Sequence, residues 1–289
     1  MKINRVFVCL DLSPYDQYCV GFAKFLAENV PDITHLVLFH NIRFDFLGEL
    51  SEFEPAQIQS LKKTIQKEVE QNFLPVLNDL SCEIEVQIED ENSTTSAILN
   101  ARREEHADLM IMGKKAENHG TGIIPRTILT TDDRSTALAL VPKIENLSLK
   151  SILTALDLSD ASEKVIDCAE YLSGFFDSTK TCLNIYEVPV TYFPYINIKR
   201  ESLADRVKVK SHQKFKSYIS SKKLDPDSWN FEILKGENIA GSIVEYANKT
   251  KPDAVIVGRI GQTNLPGNIL GGVARRILSQ DMNRVMLVV

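Results

Sequence analysis

The sequence predicts an α/β chain built as two tandem doubly wound domains, each a five-stranded, mostly parallel sheet with helices on both faces. Strand-like apolar runs alternate with amphipathic segments, the order expected of parallel strands joined by right-handed helical crossovers. The whole alternation occurs twice, at a steady offset of 145 to 146 residues. Two of the runs, Leu109-Met110-Ile111-Met112 before Gly113 and Ala254-Val255-Ile256-Val257 before Gly258, lead straight into glycine. A short run of that kind fits a strand buried on both faces, and the glycine lets the backbone turn and approach a ligand.

Val6 to Ser13 reads as the first strand, rich in β-formers and ending in Asp11-Leu12-Ser13. Ile152 to Ser159 repeats it, with the same triplet at Asp157-Leu158-Ser159. An amphipathic segment follows each, carrying Cys19, Val20, Phe22, Ala23 and Leu26 in the first copy and Val165, Ile166, Ala169 and Leu172 in the second. His35 to His40 and Thr181 to Tyr186 form the next strands. Long charged helices are expected at 55 to 80 and 201 to 222, and Tyr192-Phe193-Pro194-Tyr195 reads as a packing surface, with an aromatic lid as the alternative.

Glu83 to Ile88 and, in part, Trp229 to Leu234 alternate in period two, which suggests strands nearer a sheet edge with one wet face. Helices beginning around Ser96 and Gly241 then lead to Ala107 to Gly113 and Pro252 to Gly258, and the final strands are Ala137 to Val141 and Val285 to Val289. The repeat divides the chain near Ile144 to Lys150, giving domains 1–144 and 150–289.

Composition narrows the function. At 44% hydrophobic and 25% charged, the chain has ample material for full cores. No apolar run reaches the ~18 residues that span a bilayer. Because Met1 to Arg5 also lead directly into a strand, a cytoplasmic protein with no membrane partner is expected. Five scattered cysteines and five scattered histidines show no disulfide or metal-ligand spacing. Residues 1 to 146 carry 14 Lys+Arg against 23 Asp+Glu, and the rest carries 19 against 16. Such an acidic first half speaks against nucleic acid as a partner and makes the second half the better host for an anion. Neither G-x-x-x-x-G-K-[ST] nor G-x-G-x-x-G is present.

In a doubly wound sheet, ligands bind outside the carboxyl ends of the strands, where Asp157, Gly258 and Gly261 fall together. With Gly271 and Gly272 opening a helical pattern through Val273, Arg276, Ile277 and Leu278, that end would favour a phosphate. Glycines at 258, 261 and 271 match G-x2-G-x9-G-[S/T] after the fourth strand, with an acid at the end of the first. On these residues the chain resembles the universal stress protein family, as a tandem two-domain member.

The resemblance implies that Asp157 lies near the ribose and adenine of an adenine nucleotide (ATP, ADP or AMP), with Mg²⁺ a candidate companion of the phosphates. It implies that Ala155 and Leu156 touch the base, that Val257 and Gly258 flank the nucleotide, and that Gly261, Gly271, Gly272 and Val273 offer backbone N–H groups to the phosphates. Two departures stand out: Gly272 replaces the hydroxyl residue, and Glu187 follows Tyr186 where family members usually place an apolar side chain. The first half departs further, with Gly113 kept, Ala116 and Arg126 replacing glycines and Thr127 retaining the hydroxyl, so a site without nucleotide is expected there.

The resemblance also implies that the two halves pair through their terminal strands as a pseudo-two-fold pair within one chain, and leaves a homodimer of whole chains open. A stress-response protein that senses or signals through a nucleotide bound in the second domain is the leading expectation. The alternatives are an interaction protein with both sites vestigial and an unknown protein partner, and a slow ATP hydrolase. The last lacks a second carboxylate or general base that could be placed beside Asp157.

Overall fold

A computed structural model describes residues 1–43, 54–115, 123–131, 136–188, 200–225, 227–261, 270–280 and 282–289. Ala116 and the Tyr192 to Tyr195 segment lie outside the described residues. Two compact units are present, Met1–Leu147 and Ser148–Val289.

The first unit runs β1 (Arg5–Leu10), α1 (Asp16–Asn29), β2 (His35–Asn41), α2 (Pro55–Leu77), β3 (Glu83–Glu89), α3 (Thr94–Glu104), β4 (Leu109–Gly113), α4 (Ile123–Thr131) and β5 (Ala137–Val141). The second runs β6 (Ser151–Ala155), α5 (Ser162–Phe176), β7 (Thr179–Tyr186), α6 (Arg200–Ser221), β8 (Trp229–Lys235), α7 (Ile239–Thr250), β9 (Ala254–Val257), α8 (Gly272–Leu278) and β10 (Val285–Val288). Among the described residues no helix is long and apolar enough to cross a membrane.

Within each unit every strand pair is parallel, in the order β3-β2-β1-β4-β5 and β8-β7-β6-β9-β10. The first strand of each unit is therefore central, with Val6 opposite both Leu36 and Leu109, and Ile152 opposite both Lys180 and Ala254. Right-handed crossovers then place α5 and α6 on one face of the second sheet and α7 and α8 on the other. All four residues of β9 and of β10 are buried, as expected for strands covered on both faces. Each fully buried valine or isoleucine there contributes about 1.5–3 kcal/mol. β3 and β8 each bond one neighbour within their unit, and Glu83 and Glu85 of β3 face water, which accounts for the period-two pattern.

The repeat reaches details that periodicity does not reveal. Ser93 caps α3 by accepting from Ser96 N–H, and Asn238 caps α7 by accepting from Gly241 N–H. His106 and Lys251, in the left-handed conformation, follow the same two helices. Next comes an aspartate that ties the unit's first strand to its fourth. Asp108 Oδ2 accepts from Asn4 and Arg5 N–H, and Asp253 Oδ2 accepts from Ser151 N–H and from the Ser148 and Ser151 hydroxyls. These bonds set the register that brings the carboxyl ends of β6 and β9 side by side.

Candidate functional site

Beyond β6 the chain turns on Asp157. Its Oδ1 accepts from Ser159 N–H at 3.1 Å, from the Ser159 hydroxyl at 2.6 Å and from the Ser162 hydroxyl at 2.8 Å. Ser162 opens α5, so the carboxylate fastens the strand end to the start of the helix. Leu158 between them has φ 61°, a left-handed conformation that is costly for a branched side chain, and Leu12 repeats it at φ 58°. The Asp-Leu-Ser triplet is thus an acceptor, a strained link and a donor. The triplet is plain in the sequence; the strain at its centre is not.

Glycine fits this turn because little room is left for a side chain. A Cβ on Gly261 would sit 2.7 Å from Asp157 Oδ2, and one on Gly258 would lie 3.1 Å from the Ile260 carbonyl oxygen. On Gly271 it would lie 3.1 Å from the Arg259 carbonyl oxygen. Gly272 differs, since nothing stands within 4 Å of an added Cβ.

One expectation is corrected here. The Gly271 N–H donates to the Arg259 carbonyl at 2.8 Å, so it closes the loop instead of facing a ligand. The first bond of α8 runs from Arg275 N–H to the Gly271 carbonyl, which leaves the N–H groups of Gly272 and Val273 ahead of the helical ladder.

Ala155, Leu156, Asp157, Val257, Gly258, Gly261, Gly271, Gly272 and Val273 all line one cavity of about 560 Å³ in the second unit. Strands β6, β7 and β9, and helices α5 to α8, contribute to its wall. Sequence reasoning missed Asn184, Ser211, Lys214 and Ile239, and it read Arg276 only as part of a helical pattern. Asn184 is a polar residue in the middle of an apolar strand, a signal that could have been followed; its Nδ2 donates to the Leu156 carbonyl at 2.8 Å and holds the base of the turn. Ser211 and Lys214 come from a helix whose inner face is legible but whose position over the cavity is not. Tyr218, one turn further on, donates to the Ser159 carbonyl at 3.4 Å, and burial pushes its phenol up to about 12.

At the matching turn of the first unit, the aspartate and the glycine meet other side chains of the chain. Asp11 Oδ2 is 2.5 Å from Lys115 Nζ. Burial alone would raise the Asp11 carboxyl, but the bonds from Lys115 and Ser13 outweigh it and hold it below the ordinary value. A Cβ on Gly113 would meet Tyr15 Cβ at 2.8 Å, so the tyrosine is packed over the glycine. Where the second unit has Ser162, the first has Asp16, only 4% exposed, whose Oδ1 accepts from Asp11 N–H at 3.1 Å. Burial first, with the neighbouring Asp11 charge as a further cause, pushes Asp16 up to about 7. Arg126 and Thr127 were expected at the start of the helix after the fourth strand. They lie inside α4, which starts at Ile123, and Arg126 is exposed. The helix begins earlier than the spacing of the motif implies, so Arg126 does not occupy a Gly271-like position.

Residues 148–288 match the model of the universal stress protein family. A universal stress protein of Methanocaldococcus jannaschii is 26% identical over 148 residues, which are 50% of this chain and 84% of that protein. Among solved structures, a universal stress protein from Archaeoglobus fulgidus shares the fold with a TM-score of 0.65 at 14% identity, covering 99% of this chain and 96% of its own. A protein of unknown function from Pseudomonas aeruginosa does so with a TM-score of 0.66 at 14% identity, covering 99% and 92%.

Proposed function

We propose that this chain, which belongs to the universal stress protein family through residues 148–288, binds an adenine nucleotide in the cavity of its second unit and acts through it as a sensor or signalling module in a stress response. The observation that carries the reading is the convergence of Asp157 with Gly258, Gly261 and Gly271 on one cavity of about 560 Å³. That volume lies within the ordinary range for small-ligand sites, about 300–1,000 Å³. Leu156, Val257 and Ile243 offer apolar surface for a base. The glycines keep side chains away from the backbone where a phosphate would approach, and Gly272 and Val273, whose N–H groups lie ahead of the helical ladder, line the same wall. The first unit is given no nucleotide, because Lys115 and Tyr15 already occupy the matching turn. Mg²⁺ would be a companion of the phosphates and would meet Asp157, the acid beside Gly261.

Titration calorimetry with ATP, ADP and AMP tests the reading on the wild type and on Gly272→Glu. An added Cβ there meets nothing within 4 Å, and the glutamate places a carboxylate in the cavity wall. Heat with the wild type and its loss in the variant are expected. No heat from the wild type with any of the three nucleotides would remove the nucleotide claim.

A further inference from the structure

Resting on the reading of this cavity as a nucleotide site, we propose that Lys214 and Arg276 hold the phosphate charge of the ligand and thereby set a preference for nucleotides over nucleosides. The two side chains reach the cavity from helices on opposite faces of the sheet, Lys214 from α6 and Arg276 from α8.

The rotation of α6 is fixed by its packing. Phe215 and Ile219 are buried, Phe215 meets Phe231 edge-on with ring centroids 6.0 Å apart, and His212 meets Tyr186 at 6.5 Å. The Tyr218 hydroxyl pins the helix to the turn at Ser159. With that face inward, Ser211 and Lys214, three residues apart, share the side of the helix that borders the cavity. On α8, burial of Ala274, Ile277 and Leu278 leaves Arg276 on the cavity wall beside Gly272 and Val273.

Two other lysines of this unit are spent within it. Lys180 pairs with Glu170 at 2.5 Å and Lys222 with Glu163 at 3.3 Å. Among the described residues, neither Lys214 nor Arg276 makes an ion pair. Two carboxylates also border the cavity. Asp157 has its Oδ1 bound by three donors, and Glu187 stands at the end of β7. Positive charge unspent by the fold therefore faces the space in which Gly272 supplies no hydroxyl. A guanidinium can grip phosphate oxygens in pairs, and an ammonium on a flexible stem adds a mobile point charge. Both side chains are solvent-exposed, so their pull is modest and is weakened by salt.

The test compares adenosine, AMP, ADP and ATP, each with Mg²⁺ and with a chelator, on the wild type, Lys214→Met, Arg276→Met and the double variant. Methionine keeps an apolar stem and removes the charge. Affinity for the wild type is expected to rise from adenosine to ATP. Each single variant should lose roughly three- to tenfold in ATP affinity while adenosine stays within about twofold, and the double variant should lose most of the preference. Unchanged melting temperatures would show that the fold is intact. If the variants bind ATP and adenosine in the wild-type ratio, or if the wild type binds both equally, the proposed role of the two cations is overturned while the cavity remains a nucleoside or nucleotide site. If the wild type binds none of the four, the underlying reading falls with it.

Discussion

At the carboxyl end of its first strand each unit places an aspartate in the same triplet, and the two carboxylates are used differently. Asp157 accepts from a backbone N–H and two serine hydroxyls of its own turn, and it borders a cavity. Asp11 is likewise bonded by Ser13 but is also met by Lys115, and a second acid, Asp16, is buried under the same turn. Two substitutions account for most of the contrast: an aspartate where the other unit has Ser162, and a lysine where it has Ile260. A shared backbone can keep its strained leucine and its register while the side chains either leave room for a ligand or consume that room. The fold guarantees the turn, and the side chains around it decide whether it is a site.

The largest expected effect tests the structural side of this contrast. Asp157→Ala removes three hydrogen bonds at a part-buried turn and should destabilise the chain by about 3 kcal/mol in urea unfolding. Asp11→Asn removes one half-exposed ion pair and should cost under about 1 kcal/mol. Equal losses would mean that the two turns are held in the same way after all.

Next in size is the buried acid of the first unit. Asp16 is pushed up to about 7, above the ordinary aspartate value, so between about pH 4 and pH 7 the folded chain retains a proton that the unfolded chain has released. Stability associated with this group is complete at the acidic end of that window and is lost as pH rises through about 7. Its titratable neighbours change charge outside that window, Asp11 being held below the ordinary value and the Cys9 and Cys19 thiols being pushed up by burial. Asp16→Asn should therefore match the wild type near pH 4 and exceed it by on the order of 2 kcal/mol at pH 8. Parallel stability curves for the two proteins across that range would sink the assignment.

The smallest effect concerns Gly272. Nothing opposes an added Cβ, so Gly272→Ser should fold unchanged and restore a hydroxyl to the cavity wall. Its gain in ATP affinity should be roughly tenfold, the worth of one hydrogen bond to a charged oxygen. A variant that binds no better than the wild type would show that the phosphates lie away from the start of α8.

Much of the fold is legible in the sequence because its signals are local. Apolar runs such as Ala254 to Val257 are buried on both sheet faces and need no alternation, while edge strands such as Glu83 to Glu89 do alternate. The acid at 157 and the glycines at 258, 261 and 271 could be read from spacing. What could not be read depends on contacts between distant residues. Asp16 and Ser162 occupy equivalent places at the start of a helix, and nothing in their neighbours in sequence says that one is a buried carboxylate and the other a donor. Lys214 is one of many lysines along α6, and only the packing of Phe215 and Tyr218 turns it toward the cavity. Arg126 was misplaced because motif spacing assumes a fixed start for the helix after the fourth strand, whereas α4 begins at Ile123.

By itself, the sequence determined the two-fold repetition, the parallel α/β architecture and the conjunction of one acid with three glycines, since patterning of apolar and turn residues follows from backbone geometry alone. Tertiary structure decided which side chains share a space: that a Cβ on Gly261 would crowd Asp157 Oδ2 at 2.7 Å, that the Gly271 N–H is spent on Arg259, that Lys115 pairs with the aspartate of one turn and that Lys214 and Arg276 border the cavity beside the other. The physical reason is range: secondary structure is written by neighbours a few residues apart, whereas a site is written by residues some 100 positions apart that only packing brings within a hydrogen bond of one another.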